Sequence, residues 1–328
     1  MDMSNRVRSQ ITIVAALLLL ACGVRSWADD APPAKASSAG RSPYVPAGYV
    51  GVFDDEFDGT RFDTAKWWTR LIYENGAKDF LNDEQQRYRE NGNHIVANGA
   101  LDLVAKKVHG DGRRDAYESG VARSKRTFKY GYFETRAKLP RGRGVWPGFW
   151  LNSSVSSNGT AVWPPEIDIF EYVLNDVEEK PNFMHSDVKV QPGPNPPQDG
   201  SYIRTNRRYV RGPTDNLNYY DAPFDFRDGW HVYGALWDTD DTVTIYIDGV
   251  EIQKRHYLWT NSAATPGFAH VILQLAIGGN WAGKFGIDDA AFPQAASFDY
   301  VRVYQKPDKI MTGVDTIGRD RCPANRPC

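Results

Sequence analysis

Short runs in which apolar and polar residues alternate dominate the chain from about residue 49 to residue 305. Turn residues separate these runs, and residues 243–247 lead into Asp248-Gly249 in the manner of a β-hairpin. Residues 271–277 are apolar enough to be buried on both faces, and no long stretch has helical periodicity. Many short strands without helices predict an all-β sandwich or barrel, of a kind that often forms one domain of about 250 residues. Further strands are expected at residues 100–105, 130–139 and 298–304.

One predicted strand carries three acidic residues. Residues 163–172 read Trp-Pro-Pro-Glu-Ile-Asp-Ile-Phe-Glu-Tyr, and the acids are Glu166, Asp168 and Glu171. Side chains alternate between the faces of a strand, so Glu166 and Asp168 share a face while Glu171 would enter the apolar side. A β-bulge near Ile169 and Phe170 returns Glu171 to the face of Asp168, which avoids burying a bare carboxylate. The pattern therefore predicts three acids on one face of a bulged strand.

Such closely spaced acids limit the chemistry of this strand. Their mutual repulsion raises the pKa of at least one of them. Two carboxyl groups with different pKa values are what glycoside hydrolysis requires, because one attacks the sugar while the other protonates the leaving oxygen. A solvated acidic edge and a metal site are the alternatives that the spacing alone leaves open.

Composition narrows the classes of partner. The 328 residues carry a formal net charge of −2, which gives no general electrostatic attraction to nucleic acid or to an anionic membrane surface. The chain is also rich in aromatic residues, with 10 Trp and 17 Tyr. Such residues suit either a core or a cleft in which flat rings stack on sugars, and composition does not separate the two.

The N-terminal residues 1–28 have the pattern of a secretory signal peptide. Arg6 and Arg8 precede an apolar run over residues 11–22 that is too short to span a bilayer comfortably. Cleavage after Ala28 fits the small-x-small pattern Ser-Trp-Ala. The rival interpretation is lipidation at Cys22, because Leu-Leu-Ala-Cys resembles a lipobox. Both interpretations predict an exported protein, secreted or periplasmic.

The remaining boundaries follow from composition. Residues 29–47 are rich in Ala, Pro, Ser and Gly, and we expect a disordered linker there. Residues 48–307 form the expected catalytic domain, and residues 308–328 form a C-terminal tail. In the tail, Cys322 and Cys328 can oxidise to a disulfide outside the cytoplasm, and their spacing fits no common zinc pattern.

Several segments, taken in order, resemble glycoside hydrolase family 16, the β-jelly-roll enzymes that include laminarinases, lichenases, agarases and carrageenases. The segments are residues 53–59 (Phe-Asp-Asp-Glu-Phe-Asp-Gly), 130–134 (Tyr-Gly-Tyr-Phe-Glu), 144–150 (Gly-Val-Trp-Pro-Gly-Phe-Trp), 230–233 with Trp237, 278–281 (Gly-Gly-Asn-Trp) and 299–305 (Asp-Tyr-Val-Arg-Val-Tyr-Gln). The resemblance implies a concanavalin A-like β-jelly-roll sandwich of two antiparallel sheets. Gly148 stands where the family usually has Ala.

The family motif is Glu-x-Asp-x-x-Glu in bulged members and Glu-x-Asp-x-Glu in the others. This chain has the longer form, which resembles the laminarinase-, agarase- and carrageenase-like members. The resemblance implies that Glu166 is the nucleophile and Glu171 the general acid/base, with Asp168 adjusting the charge of Glu166. It further implies a retaining mechanism, with the two Glu carboxyl groups roughly 5–5.5 Å apart. Pro165 stands where laminarinase-like members often have Gly, so the substrate remains open.

The resemblance also implies a set of substrate-binding residues. Trp163 and Trp281 are expected in the cleft, Trp146 fits cleft or core equally, and Trp150 fits the core better. The other candidates are polar, and each has an ordinary structural alternative. Asn280 could be a turn cap, Glu84 an exposed loop carboxylate and Arg123 a surface arginine. His185 is expected to hold Glu171 or to contact the leaving-group sugar, and its alternative is a hydrogen-bonded structural histidine.

No cofactor is expected for catalysis. Many family members bind a structural calcium ion, and the matching positions here are Glu56, Gly99 and Asp299, the first two through main-chain oxygens. Residues 175–228 resemble the family least, and the arginines between residues 204 and 211 would suit an anionic polysaccharide or simply form a solvated surface.

These observations predict a monomeric, exported endo-glycosidase that cleaves internal β-glycosidic bonds of a polysaccharide with retention. A β-1,3-glucan is the first candidate for the substrate, and an exopolysaccharide or galactan is the alternative. A transglycosylase would use the same acids with a sugar acceptor. A non-catalytic carbohydrate-binding sandwich remains the alternative from another class, because a fold does not determine a function. No nucleic acid partner is expected, and membrane attachment only if Cys22 is lipidated.

Overall fold

Two large β-sheets dominate the computed structural model of this chain, which describes residues 41–73, 76–109, 116–153, 166–174, 180–189, 202–205, 209–211, 218–239, 242–256 and 267–314. Within these residues the strands are β1 Val50–Asp55, β2 Trp67–Trp68, β3 Leu71–Tyr73, β4 Gly76–Lys78, β5 Gln86–Tyr88, β6 His94–Ala97, β7 Ala100–Lys107, β8 Tyr117–Ser119, β9 Val121–Phe128, β10 Gly131–Lys138, β11 Val145–Ser153, β12 Glu166–Glu171, β13 Phe183–Lys189, β14 Tyr202–Thr205, β15 Tyr209–Arg211, β16 Asn218–Asp221, β17 His231–Trp237, β18 Thr242–Ile247, β19 Val250–His256, β20 Ala269–Ile277, β21 Gln294–Gln305 and β22 Thr312–Val314. Helical structure in the same ranges is limited to α1 Gly279–Ala282 and two short 3-10 segments, Asp289–Ala291 and Pro307–Lys309.

The strand order defines the two sheets. The first sheet runs β14-β19-β18-β17-β10-β21-β7-β8-β5, with β1 on β21 and β6 on β7. The second sheet runs β15-β16-β13-β12-β11-β20-β9-β2, with β22 on β9. Their pairings are antiparallel apart from the short parallel pair β5–β8. The predicted all-β jelly-roll sandwich of two antiparallel sheets is therefore confirmed.

Strand alternation divides the second sheet into a core face and an open face. On β11, Val145, Phe149 and Leu151 belong to the main hydrophobic cluster, while Trp146 and Trp150 point to the opposite face. Strand β20 is buried along its whole length, as its apolar sequence predicted. One of its faces joins the main cluster, and the other lies beneath residues of the β3–β5 region. The second sheet thus offers an apolar base for polar groups on its open face.

The structure confirms the hairpin predicted at Asp248-Gly249 and has a second one at Asn98-Gly99. Asp248 and Gly249 join β18 to β19 with φ values of 49° and 75°. Asn98 and Gly99 join β6 to β7 with φ values of 53° and 76°. Positive φ at both central residues matches the right-handed twist of the flanking strands, and Gly and Asn adopt it more readily than other residues.

The described residues extend beyond the expected catalytic boundaries at both ends. Residues 41–47 were expected in a disordered linker, but they pack on the first sheet instead. One contact is the hydrogen bond of 2.7 Å that Ser42 donates to buried Glu134. Val45 also joins a buried cluster on that sheet with Tyr132 and Tyr304. At the other end, β22 pairs with β9, so the second sheet takes up part of the expected tail.

Other expectations concern residues outside the described ranges. They are the signal peptide at 1–28, lipidation at Cys22, and a disulfide between Cys322 and Cys328, and all of them stay predictions. The described helices include none that is long and apolar enough to cross a membrane.

Candidate active site

Strand β12 is bulged between its second and third acid. Two β12 residues between Asp168 and Glu171 lie against a single β13 residue, Ser186. The hydroxyl group of Ser186 donates a hydrogen bond of 2.8 Å to the carbonyl oxygen of Ile169 within the bulge. The extra residue reverses the alternation, so Glu166, Asp168 and Glu171 all line one cleft. The predicted bulge and its effect on the three acids are confirmed.

The cleft has a volume of about 350 Å³ and lies on the open face of the second sheet. Glu166 and Glu171 are half-buried there, whereas Asp168 is only 3% exposed. The residues that line the cleft within the described ranges come from β11, β12, β13, β20, α1 and the loop before β5, and they are Leu81, Asn82, Glu84, Trp146, Gly148, Trp150, Asn152, Glu166, Asp168, Glu171, His185, Gln274 and Trp281.

An amide group orients the expected nucleophile. Asn152 on β11 is directly opposite Glu166 in the register of the two strands. Its Nδ2 donates a hydrogen bond of 3.2 Å to Oε2 of Glu166. A donor at this oxygen favours the ionised carboxylate, which is the form that attacks as a nucleophile.

His185 holds Glu171, which is one of the two roles expected for this histidine. His185 lies opposite Glu171 on β13, and its Nδ1 is 2.7 Å from Oε2 of Glu171. The ring is buried between Tyr219 and Trp281, with ring centroids 5.5 Å and 5.4 Å away. When Nδ1 donates to Glu171, the neutral ring has an acceptor at Nε2, which has no hydrogen-bond partner among the described residues.

Tryptophan side chains form walls of the cleft. Trp146 and Trp281 meet edge to face, with ring centroids 4.6 Å apart. For Trp150 the sequence favoured the core over the cleft, and this preference was wrong. Trp150 lines the cleft, and it also packs in a buried cluster with Leu71, Tyr88, Val121 and Ile272. The indole N–H of Trp281 is buried and has no hydrogen-bond partner in the described part of the chain. Trp163 lies outside the described residues, so its role in the cleft stays a prediction.

Two glycines place Trp281. Gly278 and Gly279 have φ values of 74° and 72°, and a Cβ at either would lie within 2.6 Å of the loop before β5. That loop is tied to α1, since Oδ2 of Asp83 accepts a hydrogen bond of 2.7 Å from the backbone N–H of Asn280. The side chain of Asn280 is exposed and is not among the residues that line the cleft in the described ranges, so its contact with substrate stays a prediction.

Glu84 lines the cleft but is buried, which excludes the exposed loop carboxylate that its sequence context also allowed. It is 1% exposed, and its Oε2 accepts hydrogen bonds from the backbone N–H of Leu81 at 2.9 Å and from Nε2 of Gln86 at 2.7 Å. Nε2 of Gln274 lies 3.5 Å from Oε1 of Glu84. Burial raises the pKa of Glu84 to about 7; the Leu81 and Gln86 donors oppose this rise, and the charge of Glu171 adds to it. Glu84 therefore changes its charge near neutral pH.

Arg123 is buried, which excludes one of the two interpretations that the sequence allowed. It lies on β9 between Trp68 of β2 and Ile272 of β20, in the same transverse row of the second sheet as Asp168. It is 1% exposed, so it is not a surface arginine. It is also absent from the lining of the cleft within the described residues, and a contact with substrate stays a prediction.

Two of the residues expected to hold calcium, Glu56 and Asp299, have side chains that bond to arginines. Oδ2 of Asp299 accepts a hydrogen bond of 2.9 Å from Nη1 of Arg136, so a guanidinium already neutralises the only expected carboxylate ligand. Both side-chain oxygens of Glu56 accept hydrogen bonds from Arg302. Gly99 lies in the β6–β7 turn. Within the described ranges, no group of three or more acidic, His or Cys side chains is arranged to hold a metal ion. The calcium site stays a prediction.

Some cleft residues were not identified from the sequence. Asn152 and Gln274 are examples, although the alternation of β11 places Asn152 on the face of Trp146 and Trp150 and could have identified it. Gln274 reaches Glu84 from a strand that reads as uniformly buried, so its sequence gave no corresponding signal.

Paired carboxylates between aromatic walls define a carbohydrate-cleaving hydrolase, and the jelly-roll sandwich restricts the class further. Residues 49–306 match the family model described as "Beta-porphyranase A-D, GH16 domain". A β-glucanase of Rhodothermus marinus is 30% identical over 259 residues, which cover 77% of this chain and 84% of the relative. Glucan endo-1,3-β-glucosidase A1 of Niallia circulans is 30% identical over 280 residues, which cover 79% of this chain and 38% of that relative.

A solved structure agrees with these matches. The laminarinase from Flavobacterium sp. UMI-01 superposes with a TM-score of 0.58 and 30% identity, over 78% of this chain and 100% of that structure. The chain belongs to glycoside hydrolase family 16 and is an O-glycosyl hydrolase.

Proposed function

We propose that this chain is an exported endo-acting hydrolase that cleaves internal β-glycosidic bonds of a polysaccharide with retention, and that a β-1,3-glucan is its substrate. The observation that carries the proposal is the bulge in β12, which brings Glu166 and Glu171 into one cleft. Without the bulge, strand alternation would separate the two carboxyl groups by the thickness of the sheet.

In the first step, the carboxylate of Glu166 attacks the anomeric carbon and forms a glycosyl-enzyme ester. The bond from that carbon to the glycosidic oxygen breaks, and Glu171 gives its proton to the departing oxygen. The amide of Asn152 keeps one oxygen of Glu166 fixed during the attack. Buried Asp168, two residues from Glu166 on the same face, repels negative charge on it and makes it more reactive.

In the second step, water attacks the anomeric carbon of the ester from the side that the leaving group vacated. Glu171, now ionised, takes the proton of this water and returns to its starting state. The hydrogen bond from His185 supports this alternation, because it fixes Glu171 at one oxygen and leaves the other to carry the proton. Two inversions at the same carbon give net retention.

The choice of polymer is supported by the relatives. Their names refer to β-glucan or laminarin hydrolysis, and Trp146 and Trp281 supply ring surfaces for stacking sugars in the cleft. The match to a porphyranase-type domain favours a second candidate, porphyran or a related galactan. Export is supported by the signal-like residues 1–28.

A substrate screen tests the proposal. Purified enzyme is incubated with laminarin, lichenan, agar, porphyran and carrageenan, and reducing ends and product lengths are measured. We expect a rapid fall in the chain length of laminarin, because an endo-acting enzyme cuts internal bonds. Cleavage of porphyran without cleavage of laminarin would replace the first substrate by the second.

Matched amide variants test the two acids. Glu166→Gln and Glu171→Gln should each lower kcat by at least about 10³-fold on the best polymer. Glu118→Gln is the control, because Glu118 lies on β8 and its carboxylate accepts a hydrogen bond from Asn91, outside the cleft. Hydrolysis that persists in both cleft variants contradicts the proposed roles.

A further inference from the structure

A second aspartate lies opposite Asp168. Asp187 on β13 is the register partner of Asp168 on β12, and the two are 6% and 3% exposed. Opposed residues of neighbouring antiparallel strands have Cβ atoms about 4.5–5.5 Å apart, and like charges in such a pair destabilise each other. A nearby positive charge would favour the ionised form of both aspartates.

The first sheet supplies that charge. Arg255 on β19 hydrogen-bonds through Nη1 to Oδ1 of Asp187, and the arginine is 7% exposed. On the same strand, Nε2 of Gln253 donates a hydrogen bond of 3.1 Å to the carbonyl oxygen of Ser186. We call Asp187, Arg255 and Gln253 the cross-sheet clasp, because they join β13 of the second sheet to β19 of the first.

Strand β19 also contains a bulge, next to the residue that bonds to β13. In the pairing with β18, Gln253 lies opposite Ile245 and Glu251 opposite Tyr246, so Ile252 is an extra residue. A bulge turns neighbouring residues toward the same side, and Ile252 and Gln253 are both fully buried.

The clasp contacts the part of β13 that faces the active-site bulge. Strand β16 pairs with β13 only from Phe183 to His185 in the described part of the chain. Beyond His185 the clasp holds β13, and Ser186 in turn donates to Ile169 in the bulge of β12. The clasp is therefore close to two parts of the active site: the bulge that sets the positions of the acids, and Asp168 itself.

We propose that Arg255 and Asp187 are positioning residues that keep Asp168 ionised beside Glu166. The consequence for hydrolysis rests on the proposed function, whereas the effect on Asp168 does not. Among the described residues, the charged and titratable groups near Asp168 are Glu166 and Glu171 on its own strand, His185 and Asp187 on β13, Glu84 from the loop before β5, and Arg255 from β19. The β13 position opposite Glu166 holds a further cationic residue, Lys189.

The proposal predicts shifts of opposite sign. Arg255→Met removes the guanidinium from Asp187, which lies opposite Asp168, and should raise the pKa of Asp168 by about one unit. Asp187→Asn removes the negative neighbour but keeps Arg255 close, so it should lower that pKa. Arg255→Lys keeps the charge and should recover most of the wild-type value, and the double variant Arg255→Met with Asp187→Asn should fall between the single variants.

Carbon-13 NMR tests these shifts directly. Full-length protein with labelled Asp carboxyl groups is titrated, and Asp168→Asn identifies the resonance of Asp168. Arg141→Met is the matched control, since Arg141 pairs with Asp228 at the exposed surface and should leave the titration unchanged. A structural role alone would predict changes in stability without the opposite shifts. If Arg255→Met and Asp187→Asn fold and both leave the pKa of Asp168 unchanged, the proposal is overturned. If Arg255→Met does not fold, an unchanged pKa in Asp187→Asn overturns it alone.

Kinetics separate this proposal from the proposed function. The acid limb of kcat/KM against pH should move upward in Arg255→Met and downward in Asp187→Asn, in step with the NMR titration. An enzyme that hydrolyses none of the polysaccharides contradicts the proposed function, while the NMR titration still decides about the clasp. Opposite NMR shifts with an unchanged acid limb overturn the link to catalysis.

Discussion

Replacing Glu84 by Gln should change how the stability of the protein depends on pH. Glu84 is 1% exposed, and its pKa is raised to about 7, first of all by burial. The amide of Gln has nearly the same shape and keeps an oxygen for the N–H of Leu81 and the side chain of Gln86. The variant therefore removes the ionisation while it retains most of the contacts.

The sign and size follow from proton linkage. In the unfolded chain Glu84 releases its proton near the ordinary pKa of 4.5, whereas in the folded protein it retains the proton up to about pH 7. Between these values the folded state binds more protons, so the contribution of Glu84 to stability falls as the pH rises through this window. A difference of about 2.5 pKa units corresponds to roughly 3 kcal/mol.

Urea denaturation of wild type and variant measures this effect. We expect Glu84→Gln to gain roughly 3 kcal/mol of unfolding free energy relative to wild type between about pH 4.5 and about pH 8. Other titrating groups largely cancel in the difference, and Glu118→Gln, at a half-buried position outside the cleft, serves as the control. A difference that stays constant across this range refutes the reasoning, because Glu84 would then titrate alike in both states.

The other predictions concern the core and the cleft. Phe170→Ala should lower the unfolding free energy by about 3–5 kcal/mol in urea denaturation, because Phe170 is fully buried in the bulge, whereas exposed Phe285→Ala should change it by less than about 0.5 kcal/mol. His185→Ala should lower kcat by about tenfold in steady-state kinetics, since Glu171 loses its orienting hydrogen bond, and an unchanged kcat would contradict that role. Trp281→Ala should raise KM by about tenfold through lost stacking, and an unchanged KM would place the sugar elsewhere.

The bulge was predictable from the sequence for a physical reason. An unbulged strand would bury Glu171 among apolar residues, and the cost of a bare buried carboxylate excludes that arrangement. The hairpin turns were predictable because Asn98-Gly99 and Asp248-Gly249 favour positive φ. These features depend on residues that are neighbours in the chain.

Features that join distant strands were not predictable in the same way. Glu84 lies in a predicted loop, but it is buried in the fold, where it contacts Gln86 of β5 and Gln274 of β20. Arg255 and Asp187 are far apart in the sequence, and neither belongs to a motif. The sequence favoured the core for Trp150, whereas the structure places this side chain both in the cleft lining and in a small buried cluster on the same face of the second sheet.

The central claim is that the bulge in β12 gives Glu166 and Glu171 the arrangement of a retaining hydrolase. The most direct test is proton NMR of the first reducing ends that are released from the preferred β-linked polymer. The account predicts that the β-anomer appears first and that the α-anomer accumulates later by mutarotation. Initial release of the α-anomer would show inversion and would contradict the assignment of Glu166 as a nucleophile paired with Glu171.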